Sequence, residues 1–423
     1  MTYVKRLVDA ELDQMLPILP AIAIEGAKGV GKTATASQRA DDVYPLDDAI
    51  TRSLIEGNPG LIMGGESPTL VDEWQLVPST WDVVRRAVDA GAPPGRFLLT
   101  GSATPVPGSR VHSGAGRIVR LLMRPMSLPE RGVATPTVSL AALLAGERPE
   151  IEGRCGLTVA DYVDETLTSG FPGIRAALPA ARPYLLDSYI DRIVDHDLSD
   201  TGLRIRRPTA LRQWLRAYAM ATATTASYAS LLDAATPGED ARPSRPTALT
   251  YRDALARIWV LDPLPAWAPG LPNLKRLAQS PKHHLVDPAL SARLVGATRA
   301  SLLKGEPPLR HQVEAGFVGL LFESLAAQTV RTLAQSQGVE VSHVRTHGGE
   351  HEVDLILQRA DLRVVAVEVR LSAIVRPNDV THLNWLEHEM PDTVIDKVLL
   401  NTGPQAYRRR DGVAVVPLAL LGP

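Results

Sequence analysis

The eight residues Gly26–Thr33, G-A-K-G-V-G-K-T, constrain this chain more than any other stretch. They fill every fixed position of the phosphate-binding pattern G-x-x-x-x-G-K-[ST]. Such a loop turns tightly at its glycines, so the backbone of Gly26, Ala27, Lys28, Gly29, Val30 and Gly31 can present N–H groups to phosphates at a helix N-terminus. Lys32 is placed to reach the β and γ phosphates, and the Thr33 hydroxyl to ligate Mg²⁺. The flanks agree with that reading. Ala21–Glu25, A-I-A-I-E, is a short buried strand by composition, and Thr33–Ala40 lacks Gly and Pro and can continue as a helix.

The bulk numbers bound the rest. A chain of 423 residues with 45% hydrophobic content has room for two or three well-buried domains. A formal net charge of −2 gives no global electrostatic case for nucleic acid, so such a contact needs a local basic patch. The single cysteine, Cys155, excludes an internal disulfide framework and a Cys-rich zinc site, as suits a reducing compartment. Met1–Leu12 carries charges where a secretory signal needs an apolar core, and no run of about 18 apolar residues is present. The expectation is a cytoplasmic protein without a membrane partner. Only seven of the 45 basic residues are lysines, and two of them, Lys28 and Lys32, lie in the loop. Lys32 keeps the point charge that arginine replaces poorly.

Thr69–Trp74, T-L-V-D-E-W, reads as an apolar strand ending in two carboxylates, a Walker B pattern. Asp72 would hold Mg²⁺ through its water shell and Glu73 would polarise the water that attacks the γ phosphate. The adjacent acids favour an ATP hydrolase over a small-molecule kinase. Ser79–Ala90 is predicted as an amphipathic helix with Ser79 as N-cap, Asp82 closing a capping box, Gly91 as the stop, and Trp81, Val84 and Val88 facing a sheet. Arg96–Ala103, R-F-L-L-T-G-S-A, is a strand whose end would bring Thr100 and Ser102 near the γ phosphate.

The succession of G-A-K-G-V-G-K-T, L-V-D-E, F-L-L-T-G-S, G-A-G-R-I at 114–118 and R-P-M-S-L-P-E at 124–130 resembles prokaryotic AAA-type ATPases that carry a C-terminal domain of unknown function. The resemblance covers nearly the whole chain. It implies ATP and Mg²⁺ as ligands, with Lys32, Thr33, Asp72, Glu73 and Ser102 on matching positions. Within it, Arg117 is the candidate for a charge-stabilising arginine, in cis or across a subunit interface, with Arg110, Arg120 and Arg124 as competitors.

Beyond the expected ATP-binding domain at 1–135, residues 136–156 read as a connector, 157–300 as a helical and winged-helix-like domain, and 301–423 as a nuclease-like α/β domain. In the middle, Tyr184–Leu198 and Ala210–Thr224 are helical patterns, and R-I-R-R at 204–207 is either a phosphate contact or a solvated face. Ser227–Thr236 and Thr247–Trp267 suggest two short helices and an apolar hairpin, the order of a winged helix-turn-helix, which serves DNA or protein contact. At the end, a long helix pattern from Val313 to Ala334 with Glu323, then H-E-V-D-L-I-L-Q and V-V-A-V-E-V-R-L, resembles the PD-(D/E)-x-K nuclease core. Asp354, Glu368 and Arg370 would share one face, but arginine stands where the lysine belongs, so the expectation is an ion-pair cluster in a degenerate, structural domain.

The fold class expected is therefore α/β, with a parallel P-loop sheet first and an α+β, restriction-endonuclease-like domain last. The function expected is Mg²⁺-dependent ATP hydrolysis coupled to a downstream domain. A slow nucleotide-gated scaffold of the defence or toxin–antitoxin kind and a DNA-processing protein are the alternatives, with a protein partner or a second copy as further possible partners.

Overall fold

The computed structural model of the chain describes residues 3–103, 114–198, 205, 207–235, 245–268, 280–304 and 316–423. Arg110, two arginines of the R-I-R-R run and the 236–244 punctuation lie outside the described residues. So do residues 313–315, where the long C-terminal helix was expected to begin.

Five strands form the first sheet: β1 (Ala21–Glu25), β2 (Asp42–Pro45), β3 (Thr69–Asp72), β4 (Phe97–Gly101) and β5 (Val119–Leu122). They run in the order β2-β3-β4-β1-β5, and every pairing is parallel. Alternation sorts the side chains onto two faces. Ile22, Ile24 and Leu98 point into a core shared with the middle helices, while Ala21, Ala23, Phe97 and Leu99 point into a second core with Trp74, Trp81 and Val84. Trp81 packs on Trp74 with ring centroids 4.5 Å apart, which makes the helix Ser79–Asp89 the cover of that face.

Two local expectations are corrected. Pro78, not Ser79, is the N-cap of that helix, and its first free N–H groups take carbonyls of the preceding turn, Thr80 from Val77 and Trp81 from Pro78. The helix after the phosphate loop stops at Ala36 instead of Ala40, because tighter turns from Gln38 to Thr35 and Arg39 to Ala36 bring the chain round to β2.

The middle region is helical. Helices Arg182–Arg192, Pro208–Met220, Tyr228–Ala234, Arg245–Arg257 and Pro288–Val295 bury Leu186, Ile190, Leu211, Trp214, Leu255 and Leu290 in the core that also receives Ile22 and Ile24. After Arg245–Arg257 the chain forms isolated bridges, Leu261 with Leu285 and Leu264 with Lys282, both antiparallel.

The second large sheet takes β7 (Gly153–Arg154), β8 (Glu340–Arg345), β9 (Glu352–Gln358), β10 (Val364–Val369), β11 (Val394–Asn401), β12 (Gln405–Arg408) and β13 (Ala414–Pro417), in the order β7-β12-β13-β11-β10-β9-β8. A short parallel pair, β6 (Val138–Ser139) with β14 (Leu421–Gly422), lies beside it. The helix Phe317–Gln335 covers one face through Phe322, Leu325, Val330 and Leu333, and Thr381–Glu389 covers the other through Leu383 and Leu386. Residues 136–156, read from sequence as a connector, are thus hydrogen-bonded into this half through β6 and β7. No helix among the described residues is long and apolar enough to cross a membrane.

Candidate nucleotide site

The site lies at the carboxyl edge of the first sheet, where β1, β3 and β4 end side by side. Gly26 follows β1 with φ +150°, and a Cβ there would fall 2.2 Å from the Met123 carbonyl oxygen, so the position admits no side chain. Gly31, at φ +105°, is the left-handed residue from which the helix Lys32–Ala36 departs. Arg6 braces the loop from outside, donating to the carbonyls of Val30 at 2.7 Å and Arg124 at 2.8 Å and to Glu130 at 2.9 Å.

Lys32 is buried, and its Nζ donates to the carbonyls of Gly26 and Ala27, each at 2.9 Å. Burial lowers its pKa to about 8 against the upward pull of Glu73 and Asp72. The exposed Thr33 donates its hydroxyl to Asp72 Oδ1 at 2.8 Å, and Thr100 Oγ1 donates to the same oxygen. Burial holds the Asp72 carboxyl above its usual range, and the neighbouring acids Glu73 and Asp47 add to the rise. A buried ammonium without an ion pair, and a carboxylate already joined to an exposed threonine hydroxyl, have the chemistry that suits Mg²⁺ with a polyphosphate.

Glu73 holds a left-handed backbone at φ +54°, a strained state for a residue with a side chain and one that recurs at functional sites. Its carboxylate accepts from Ser102 Oγ at 2.8 Å and from the Gln75 amide, and its own N–H donates to Thr100 Oγ1 at 3.2 Å. Glu73, Ser102, Gln75, Lys28 and Asp47 line a cleft of about 490 Å³, whose other wall is Tyr189, Arg192, Ile193, Asp197, Ile258 and Val260 from the middle region. A wider cleft of about 750 Å³ between Arg124, Trp267, Arg331 and Gln335 has no phosphate loop on its wall.

The structure brings Lys32, Thr33, Asp72, Glu73 and Ser102 together. It does not bring Arg117 to them. The β1–β5 register pairs Ile22 with Val119 and Glu25 with Leu122, so Arg117 precedes β5 at the amino edge, the end of the sheet opposite the loop. There it pairs with Asp89 at 2.9 Å, which corrects a role for Arg117 at its own chain's nucleotide. The competitors Arg120 and Arg124 are engaged by Glu25 at 3.4 Å and Asp262 at 2.8 Å.

Two contacts escaped sequence reasoning. Lys28 reaches across the cleft to Asp197 at 2.6 Å, and Tyr189 donates to the Lys28 carbonyl at 3.1 Å. Arg192, exposed on the cleft wall, makes no ion pair among the described residues. Its sequence signal was only a base at the end of an acid-rich helix. In the C-terminal half, Arg370 pairs with Glu368 and lies 3.5 Å from Asp354, the ion-pair arrangement expected for those three residues.

The parallel sheet and phosphate loop are those of a P-loop, AAA-type domain, and residues 19–131 match the family described as an AAA domain. Residues 159–301 and 318–421 match two domains of unknown function, DUF8612 and DUF4143. Among curated proteins, an uncharacterised protein of Mycobacterium bovis and one of Mycobacterium tuberculosis are each 27% identical over 331 residues, 76% of this chain and 66% of theirs. The chain therefore spans slightly less than two-thirds of the length of these relatives. Among solved structures, a Walker-type ATPase of Pyrococcus abyssi is similar at 14% identity and a TM-score of 0.38, over 68% of this chain and 94% of that one.

Proposed function

We propose that the chain hydrolyses ATP in the cleft above the phosphate loop and transmits nucleotide state to its middle and C-terminal regions. The observation that carries this reading is Glu73, fixed by Ser102 and Gln75 on the cleft wall next to the Lys32, Thr33 and Asp72 cluster. The loop N–H groups and Lys32 bind the β and γ phosphates, while Thr33 and Asp72 hold Mg²⁺, which supplies charge neutralisation at the phosphoryl group when bound. Glu73 takes the proton of the attacking water, with Ser102 fixing the direction of its carboxylate. Arg192, on the wall that faces these groups, takes the charge-stabilising part that Arg117 is too far round the sheet to play.

The relay runs through Lys28, whose side chain and carbonyl are both held by the middle region. A bound phosphate competes with Asp197 for that ammonium, so nucleotide loading loosens the tie. The same tie favours a second reading, in which slow turnover serves mainly to set the state of a scaffold. The bridges after Arg245–Arg257 suit a small wing, and we assign the middle region to protein contact rather than DNA. The C-terminal domain is assigned a structural role, and the location a cytoplasmic one. Phosphate release from Mg²⁺-ATP by the purified chain tests the activity. Glu73→Gln is expected to bind ATP and to release little phosphate, and full turnover in that variant removes Glu73 from its role. Turnover well below one per minute, with ATP-dependent assembly, selects the scaffold.

A further inference from the structure

One acid on the wall of the nucleotide cleft belongs to neither the phosphate loop nor the T-L-V-D-E-W strand. Among the described residues that line this cleft, three are acids, Asp47, Glu73 and Asp197. Two of them are already engaged. Glu73 accepts from Ser102 at 2.8 Å and from Gln75, and Asp197 is paired with Lys28 at 2.6 Å. The Asp47 carboxylate has no hydrogen bond and no ion pair among the described residues, although Arg192 lines the same cleft.

The backbone on either side of Asp47 is fixed. β2 runs parallel to β3 with Pro45 opposite Asp72, and the next residue, Leu46, donates its N–H to the Asp72 carbonyl at 3.1 Å. The Leu46 side chain is fully buried in the core that holds Val71 and Trp74. Asp48 closes the turn with an N–H to the Pro45 carbonyl at 3.2 Å, and then caps the helix Ala49–Gly57 by accepting from the Thr51 N–H at 2.8 Å. Asp47 is the corner between a buried anchor and a helix cap, and its own side chain is exposed. Neither the core nor the cap uses it.

The place is an unfavourable one for a free carboxylate. Glu73 and Asp47 both push the Asp72 carboxyl upward, as like charges do when they converge. A dication among the acids reverses that sign. The sheet order β2-β3-β4 also sets Asp47 and Thr100 on opposite sides of Asp72, so the Thr33 and Thr100 hydroxyls that occupy Asp72 Oδ1 leave the β2 side to Asp47. Mg²⁺ takes six oxygens and gives up water reluctantly, so an ion bound by a hydroxyl, a carboxylate and phosphates keeps several waters. Those waters need acceptors. An exposed carboxylate on a fixed turn is such an acceptor, and its exposure suits contact through water better than direct ligation.

We propose that Asp47 is a positioning residue of the nucleotide site, which holds the water shell of the Mg²⁺ bound by Thr33 and Asp72. The role rests on the reading of this cleft as an Mg²⁺-nucleotide site. Asp47 touches neither the phosphates nor the attacking water, and the proton transfer stays with Glu73.

The test is Mn²⁺ binding to the full chain saturated with AMP-PNP, a non-hydrolysable ATP analogue, followed by electron paramagnetic resonance. Asp47→Asn is expected to weaken Mn²⁺ by about 10- to 100-fold, the range for groups that hold a metal's outer shell. Its AMP-PNP affinity in EDTA is expected to match the wild type, and its melting temperature without ligand not to fall. Asp47→Glu, which keeps the charge, is expected to recover most of the loss. Unchanged Mn²⁺ affinity in Asp47→Asn overturns the inference, as does an equal loss of AMP-PNP affinity in EDTA. Asp48→Ala, which removes the neighbouring helix cap, is expected to lower the melting temperature and to spare Mn²⁺; a Mn²⁺ loss as large as that of Asp47→Asn makes the effect one of folding and overturns the inference. Wild type that takes up no Mn²⁺ with AMP-PNP overturns this inference and the ATPase reading together. Wild type that binds both but releases no phosphate from ATP removes hydrolysis alone, and the Asp47→Asn loss then still upholds the part given to Asp47.

Discussion

The Ser102 hydroxyl donates to the Glu73 carboxylate at 2.8 Å, joining the end of β4 to the residue after β3. Glu73 therefore has one fixed direction, set by a neighbouring strand and not by its own backbone alone. Ser102→Ala is expected to reduce turnover about tenfold with ATP affinity unchanged, and Glu73→Gln by about 10²–10⁴, the range for loss of a positioned base. Phosphate release set beside titration of a fluorescent ATP analogue separates the two effects. A Ser102→Ala loss as large as that of Glu73→Gln would mean that the hydroxyl contacts the phosphate itself.

The two arginines predict opposite outcomes. Arg192→Ala should lower turnover tenfold or more, because a cation facing the phosphates is removed. Arg117→Ala should leave turnover within about twofold and the melting temperature nearly unchanged, since its pair with Asp89 is exposed. Loss of turnover in Arg117→Ala that wild-type subunits mixed into the assay restore would place it at a neighbour's nucleotide.

Lys32 gives two slopes of opposite sign. Its pKa of about 8 lies below the ordinary lysine value of 10.5 because of burial, so the unfolded chain binds more protons between those values. Stability without nucleotide should then rise across that window. ATP affinity needs the ammonium and should fall above about pH 8, by as much as tenfold per pH unit. Melting with and without ATP from pH 7 to 10 measures both slopes, and Lys32→Met should flatten them.

Asp262 lies between Arg124 and Arg331, each at 2.8 Å. Burial opposes its charge, but the two guanidiniums prevail and hold the carboxyl well below its usual range. Because the folded pKa is the lower one, its stabilisation is complete above the ordinary carboxylate range and is lost as pH falls through and below it. Asp262→Ala leaves two cations facing each other and should cost about 3 kcal/mol, read as a lower urea midpoint at pH 7 that shrinks towards wild type at low pH.

The phosphate loop and its strands were legible because each is an apolar run punctuated by glycine or closed by acids, signals that act within a few residues. Asp72 and Glu73 could be paired with Lys32 and Thr33 for the same reason. The G-A-G-R-I pattern that singled out Arg117 does not say at which end of β5 it lies; the β1 register puts it at the end away from its own chain's loop. Asp197 meets Lys28 across 169 positions of chain, and Arg192 comes to the same cleft wall, so no local pattern announces either. The two-residue strands β6 and β7 are too short to leave any period, so their segment looked like punctuation.

Gly26 and Met123 are in such close contact that a single methyl at residue 26 would collide with the carbonyl of residue 123. Met123 also donates its N–H to Glu25 at 2.7 Å, and three residues on Met126 donates to Gly170 at 2.8 Å. The strap leaving β5 is thus geared to the phosphate loop at one end and to the middle region at the other. A tilt of the loop would therefore press directly on residue 123 and, through Met126, on Gly170. Gly26→Ala would jam that gear, and its cost would be felt as far away as Gly170.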